Sequence, residues 1–466
     1  MSSLWFGKEM NMRSTLRFAL ACIFTWLAAS GSIQAELKAG AARISIVPPF
    51  PTQMGGFHDR IKNFQGVHDE LFARALVLDN GGTRLVFIGS DLMAIDAELV
   101  RLAREAITQA TQIPAAQILI SCTHNHSAPS YYQKSKPGED DVEPSLKKFL
   151  AKQFSSVAIE AHQNLAPARI GFGAGSLIGA TRNRQQRNDL IDPQVGVLRV
   201  ESTEGRKTIA TLFNFTGHPV IIGSTNMFLS GEYPGAASRA VENLLGGVAI
   251  FAQGACGDIT VNRSGDPFME IERLGRTVAG EVIKVSGLIQ CTDDVSLKFA
   301  SQTLKLPARS LPDLDAAKQA LAQGQAALDA AKAKPAPTAV VQTLDDKLRV
   351  LSMAVMRAEA IAADPTKKET ELTAEVQVLQ VGSVIYAAIP GEIFVEYALE
   401  LRQRVKQDTG HSFCLIGYAN GYLGYIVTPR AMETGGYEAS VTRLQPLGGR
   451  SLTEAVMELV QQLDLN

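Results

Sequence analysis

Four short segments carry residue types able to hold a metal ion and work on a carbonyl: Thr123-His124-Asn125-His126, Gly217-His218-Pro219, Pro390-Gly391-Glu392 and a late tyrosine cluster. The first three each follow an apolar run that reads as a buried strand: Gln117 to Cys122, Thr208 to Phe215 and Val384 to Ile389. In open α/β sheets ligands collect at the carboxyl ends of strands, so metal-binding types placed there converge on one site. This layout points to a metal-dependent hydrolase.

Residues two apart on a strand face the same side, so His124 and His126 are expected to point together, one holding a metal while the other reaches substrate. A His-x-His pair alone is also compatible with a hydrogen-bonded core pair, and His218 at a second strand end turns the reading toward a metal. Glu392 precedes the helical pattern Ile393 to Leu399 and is expected in a first helical turn, where the macrodipole and free backbone N–H groups keep a carboxylate ionised. His58-Asp59 and His68-Asp69 form a rival pair of candidate ligands, against which loop or core histidines are the simpler reading.

The elements that must position these residues alternate in type. Strand-like runs recur at 41–47, 71–78, 85–90, 118–122, 196–200, 208–215 and 248–252, with helical stretches at 97–110 and 144–161. The expected fold is α/β, with a mixed central sheet or sheets flanked by helices. From 311 to 365 the character changes: Leu314, Leu321 and Leu328 repeat every seven residues, Pro335-Ala336-Pro337 breaks the run, and Leu344, Leu348, Leu351 and Val355 resume helical spacing. That segment reads as a helical-hairpin insertion, either a cover for the core or a lid.

At 466 residues the length prior allows roughly three domains, but no long Pro/Ser linker divides the chain and one large domain fits equally. A formal net charge of −2 gives no global field for nucleic acid or an anionic membrane. Arg13 and Arg17 precede the apolar run Phe18 to Ala29 and the small-residue stretch ending at Ala35, so residues 1–35 read as a secretory signal. Secreted or periplasmic location follows, with no membrane-spanning segment in the mature chain. Cys122, Cys256, Cys291 and Cys414 lack any CxxC spacing; they allow three full pairings, or buried free thiols.

The stretch Ile416 to Pro429, with Tyr437-Glu438 after a Gly-rich loop, together with Ala39 to Ser45, Gly66 to Ala75 and His124-Asn125-His126-Ser127-Ala128-Pro129, resembles the neutral/alkaline (non-lysosomal) ceramidase family over most of the mature chain. The resemblance implies a catalytic N-terminal domain only, spanning 36–466, and a zinc ion held by His124, His218, Glu392 and Tyr425. It implies that His126, Arg184 and Tyr437 contact substrate or its developing charge, with Arg182 near enough to compete with Arg184. Two imidazoles and two oxygens make a sensible zinc shell with room for water.

The family's Gly-Asn-x-Ser-Pro-Asn loop appears here as Gly257-Asp258-Ile259-Thr260-Val261-Asn262, so its serine is replaced by Thr260. Water activated by a metal, with its pKa lowered to ~7, needs no protein nucleophile, and leaves Thr260 to orient water or substrate. Ser130-Tyr131-Tyr132 replaces a more glycine-rich continuation and alters the expected pocket rim. The resemblance implies cleavage of an N-acyl sphingoid base, a lipid-like small molecule, to fatty acid and amine. Another acyl amide or ester as substrate, or a zinc-stabilised binding protein without turnover, are the alternatives.

Overall fold

Period-two burial decides the architecture. In the strand Arg84–Ser90, Val86 and Ile88 pack into one apolar cluster while Leu85 and Phe87 pack into another, so this strand is covered on both faces. The computed structural model describes residues 1–4, 36–57, 60, 62–131, 142–185, 189–310, 312–333 and 337–465. Nearly all of the expected signal segment, with His58, Asp59 and Tyr132, lies outside the described residues.

Eight strands form the larger sheet: β1 (Lys38–Ser45), β2 (Phe72–Asp79), β3 (Arg84–Ser90), β4 (Ile118–Cys122), β5 (Ala166–Ser176), β6 (Gln194–Ser202), β7 (Thr208–Phe215) and β8 (Val248–Gln253). Their order is β8-β7-β6-β5-β1-β2-β3-β4. The outer pairs β3/β4 and β7/β8 are parallel and the pairs between them antiparallel. A second sheet, in the order β9-β10-β11-β12, comprises Leu297–Pro307, Glu371–Val381, Val384–Ala388 and Ser412–Ile416. Both sheets are mixed, because β11 and β12 run parallel beside antiparallel neighbours.

The two sheets face each other across a shared core in which Leu76, Leu85, Phe87 and Ile250 meet Leu379, Val384, Tyr386 and Ile416. Helices cover both outer faces. On the larger sheet, α1 (Ala97–Thr111) and α2 (Val142–Gln163) cover one half, and α3 (Glu232–Leu245) and α4 (Pro267–Leu288) cover the other. Beyond the smaller sheet lie α7 (Val395–Thr409) and α8 (Gly448–Gln462). The chain is thus an α/β/β/α sandwich, within the expected class and with two sheets.

Local chemistry sets the helix starts. Asp96 caps α1 by accepting from Leu99 N, and Asp266 caps α4 by accepting from Phe268 and Met269 N, with Pro267 in the first turn. Between β9 and β10, α5 (Leu314–Lys332) and α6 (Thr338–Ala363) pack through Ala317, Val355 and Ala358. Among the described residues no helix is long and apolar enough to cross a membrane.

Candidate active site

β4 is one edge strand of the larger sheet and β7 lies second from the other edge, and the loops leaving their carboxyl ends carry the histidines. The chain leaves β4 through Thr123, whose N–H donates to Ser90 O at 2.9 Å, into His124 at φ 63°, a left-handed conformation that costs a non-glycine residue roughly 1–3 kcal/mol. Buried Asn125 holds this bend: its Nδ2 donates to Ser230 O at 2.6 Å and its Oδ1 accepts from Ser127 N at 2.7 Å. His124 and His126 therefore converge through a pinned turn beyond Cys122. The strand alternation expected from their two-residue spacing does not place them, because β4 has already ended.

The three histidines meet ring to ring. His126 Nε2 lies 3.2 Å from His124 Nε2 and 3.3 Å from His218 Nε2. His124 Nδ1 lies 2.8 Å from Met93 O, and His218 Nδ1 lies 3.2 Å from Cys256 O. A carbonyl oxygen can only accept, so both Nδ1 atoms carry a proton, and each ring turns its Nε2 toward the centre. His126 has no such anchor; its Nδ1 is buried without a hydrogen-bond partner. Burial, then the charges of His124, Arg60 and Arg184, pull its pKa well below that of ordinary histidine, and similar causes act on His218.

Glu392 adjoins the group at His124. Its Oε2 lies 3.2 Å from His124 Nε2 but makes no hydrogen bond, while Oε1 accepts from the Tyr422 hydroxyl. Burial would raise this carboxyl; His124, Tyr422 and Arg184 outweigh it and hold the pKa below the usual carboxylate range. A buried carboxylate beside the His124 ring nitrogen, with the Nε2 atoms of His126 and His218 next to that ring, makes a nitrogen and oxygen donor set that fits a divalent cation. His124, His126 and His218 alone form a potential metal-binding group, the only such group of acidic, thiol and imidazole ligands among the described residues. The rival His68-Asp69 is a local hydrogen-bonded pair, with the His68 ring stacked on Phe268.

The position of Glu392 differs from the sequence expectation. It lies in a two-residue strand, Glu392–Ile393, paired with Tyr425–Ile426, and α7 begins only at Val395. The carboxylate at the start of α7 belongs to Asp258, whose Oδ1 accepts from Val395 N at 2.9 Å while Oδ2 accepts from Asn183 Nδ2 at 2.7 Å. Gly257 allows the approach, since a Cβ there would lie 2.3 Å from Glu392 O. Burial lifts the Asp258 pKa to about 6.

Tyr425 stands opposite Glu392 in that pairing, and its hydroxyl lies 3.4 Å from Arg184 Nη2. Burial and the Glu392 charge drive its phenol well above 10 in the absence of a cation. Arg184 also pairs with Glu438 Oε1 at 3.1 Å and donates to Gly257 O, whereas Arg182 bonds outward to Asn262. Tyr437, 45% exposed, meets the Tyr425 ring edge-on at 5.9 Å. Thr260 is buried on the short strand Ile259–Val261, which pairs with Thr181–Asn183 and bridges to His218.

Sequence reasoning gave no role to the individual partners of this group. Tyr418 stacks on His124 at 4.2 Å and its hydroxyl lies 3.1 Å from Cys256 Sγ, while Tyr422 holds Glu392. Both tyrosines lie in the motif that carried the family resemblance, which was the available signal. The Met93 and Cys256 carbonyls leave no side-chain signature. All four described cysteines are free thiols.

The sequence profile described as "Neutral/alkaline non-lysosomal ceramidase, N-terminal" matches residues 39–273, just over half of the chain. The chain belongs to that family. It is 24% identical to the neutral ceramidase of Mycobacterium tuberculosis over 479 residues, covering 88% of this chain and 74% of the relative. It is also 24% identical to that of Pseudomonas aeruginosa, covering 84% and 67%. The crystal structure of neutral ceramidase from Pseudomonas aeruginosa superposes with a TM-score of 0.71 at 20% identity, covering 91% of this chain and 74% of that one. A structure described as ceramidase complexed with C2 gives a TM-score of 0.72 at 18% identity, covering 92% and 75%. At these identities the structural likeness establishes the shared fold.

Proposed function

We propose that the chain is a zinc-dependent amide hydrolase that cleaves an N-acyl sphingoid base to a fatty acid and an amine. The observation that carries this reading is the convergence of three imidazole Nε2 atoms on one another, with the buried Glu392 carboxylate beside the His124 ring. His124, His218 and Glu392 would hold the ion, with Tyr425 as the fourth ligand by family resemblance. A zinc ion bound there supplies carbonyl polarisation and lowers the pKa of water to ~7.

The remaining work falls to the chain's own groups. His126 lacks a carbonyl anchor and stays neutral, so its ring N–H can donate to the oxyanion as the acyl carbon becomes tetrahedral. Arg184 remains cationic, because Tyr425 and Glu438 offset the cost of its burial, and it presents a fixed positive charge beside Tyr425. Half-exposed Tyr437 borders the approach and is placed to orient the substrate. Thr260, beside His218, positions water or substrate. Water adds to the carbonyl carbon, the C–N bond breaks, and the amine nitrogen gains the proton.

Export rests on the signal-like segment 1–35, and 36–466 is proposed as one hydrolase domain carrying the hairpin as an insertion. The test is turnover of N-dodecanoylsphingosine, alongside the matching ester, by zinc-loaded protein. Release of dodecanoate and sphingosine is expected, with Thr260→Val slowed about 10²-fold and no acyl group trapped on Thr260. Cleavage of neither substrate by fully zinc-loaded protein would leave the binding-protein reading.

A further inference from the structure

The root of the helical hairpin carries a cavity that the hydrolase reading does not use. It measures about 760 Å³, within the range of small-molecule sites, and lies between the ends of α5 and α6, the end of β9 and the segment 367–370. Five cations line it, Arg309, Arg357, Lys367, Lys368 and Arg443, against two carboxylates, Asp313 and Glu369. Both carboxylates are committed: Asp313 Oδ1 caps α5 by accepting from Ala316 N at 2.8 Å, and Glu369 receives both the Nε and Nη2 of Arg443.

Arg309 donates to Ala439 O at 2.6 Å. Half-buried Arg357, by contrast, makes no hydrogen bond or ion pair among the described residues, and neither does the Lys368 ammonium. Burial and the neighbouring Arg443 weaken the hold of Arg357 on its proton. Leu314, Ala358, Ala360 and Ile361 supply an apolar wall beside these charges. A small cavity with surplus positive charge on one side and aliphatic carbon on the other complements a molecule of the opposite polarity built the same way.

We propose that this cavity binds an anionic amphiphile, an alkyl chain ending in a carboxylate or phosphate, with Arg357 and Lys368 receiving the anionic head and the α5–α6 wall receiving the chain. None of the proposed metal ligands lines the cavity, so binding here is separate from the hydrolytic site. Arg443 closely follows the short helix Tyr437–Val441, which places the bound head near the element that carries Tyr437.

The test is titration calorimetry on the full chain with dodecanoate, dodecyl phosphate, dodecanol and inorganic phosphate, each below its micellar concentration. At least one anionic amphiphile is expected to bind at one site, ten-fold or more tighter than dodecanol and inorganic phosphate, and more weakly as NaCl is raised. The tighter of the two amphiphiles distinguishes a free fatty acid from a lipid phosphate. The double substitution Arg357→Gln and Lys368→Gln is expected to weaken that binding at least ten-fold without changing metal content. Dodecanol binding as tightly as dodecanoate and dodecyl phosphate, inorganic phosphate matching dodecyl phosphate, or undiminished binding to a folded double variant would each overturn the proposal. The four-ligand comparison on unsubstituted protein decides the matter if the double variant does not fold.

Discussion

Removing one hydroxyl, in Tyr422→Phe, tests how the carboxylate is held for the ion. The Tyr422 hydroxyl donates to Oε1 of Glu392, a side chain only 3% exposed, so no bulk water replaces the lost donor freely. Hydrogen bonds to charged groups contribute about 1.5–3 kcal/mol, and at about 1.4 kcal/mol per decade this is roughly 10- to 100-fold in zinc affinity. The same range is found for groups that orient metal ligands from outside the coordination shell. The ring remains, so packing is preserved. Titration of metal-free protein with zinc against a chromophoric chelator at fixed pH measures the effect, and Tyr437→Phe serves as a control expected to leave affinity unchanged. A Kd for Tyr422→Phe within two-fold of the unsubstituted protein, with Glu392→Ala strongly impaired, would refute the argument that this hydroxyl orients Glu392.

Gly56→Ala is expected to cut turnover about 10²-fold while zinc content holds, measured by steady-state kinetics and metal analysis on one sample. Gly56 has φ 93°, and an added Cβ would lie 2.3 Å from the His126 ring, so that ring must move. Glu232→Gln tests a buried carboxyl outside the metal group, whose pKa burial lifts from 4.5 to about 7 against the opposing bonds from Ile222 and Ile221 N–H. A raised carboxyl pKa means the folded state binds more protons, so the Glu232 contribution is present below pH ~4.5 and is lost as pH rises to about 7. The unfolding free energy of the glutamine variant, relative to the parent, should therefore improve by about 3 kcal/mol between pH 4.5 and 8. A difference independent of pH in denaturant titrations would contradict this.

Much of the larger sheet was legible because strands buried on both faces read as continuous apolar runs: Thr208 to Phe215 is β7 to the residue, and Ile118 to Cys122 is β4. The same continuity conceals which sheet a strand joins, so the two-sheet sandwich did not follow from pattern alone. Glu392 was assigned to a helix start because the pattern beginning at Ile393 is helical, yet pairing with Tyr425–Ile426 keeps it extended. The helix N-terminus instead meets Asp258, far away in sequence, a contact that local periodicity cannot report. The convergence of His124 and His126 was expected for the wrong reason, since the left-handed turn at His124 depends on pinning by Asn125 and Ser230. The carbonyls that set the histidine tautomers belong to backbone and carry no side-chain signal.

The most direct test of the central claim is anomalous diffraction at the zinc absorption edge from crystals of the zinc-loaded chain. One strong peak is expected about 2.0–2.2 Å from His124 Nε2, His218 Nε2 and a Glu392 carboxylate oxygen, and it should vanish in His218→Ala crystals grown the same way. A zinc-loaded crystal with no peak among these residues, or with a peak that persists at full height in His218→Ala, would contradict the assignment.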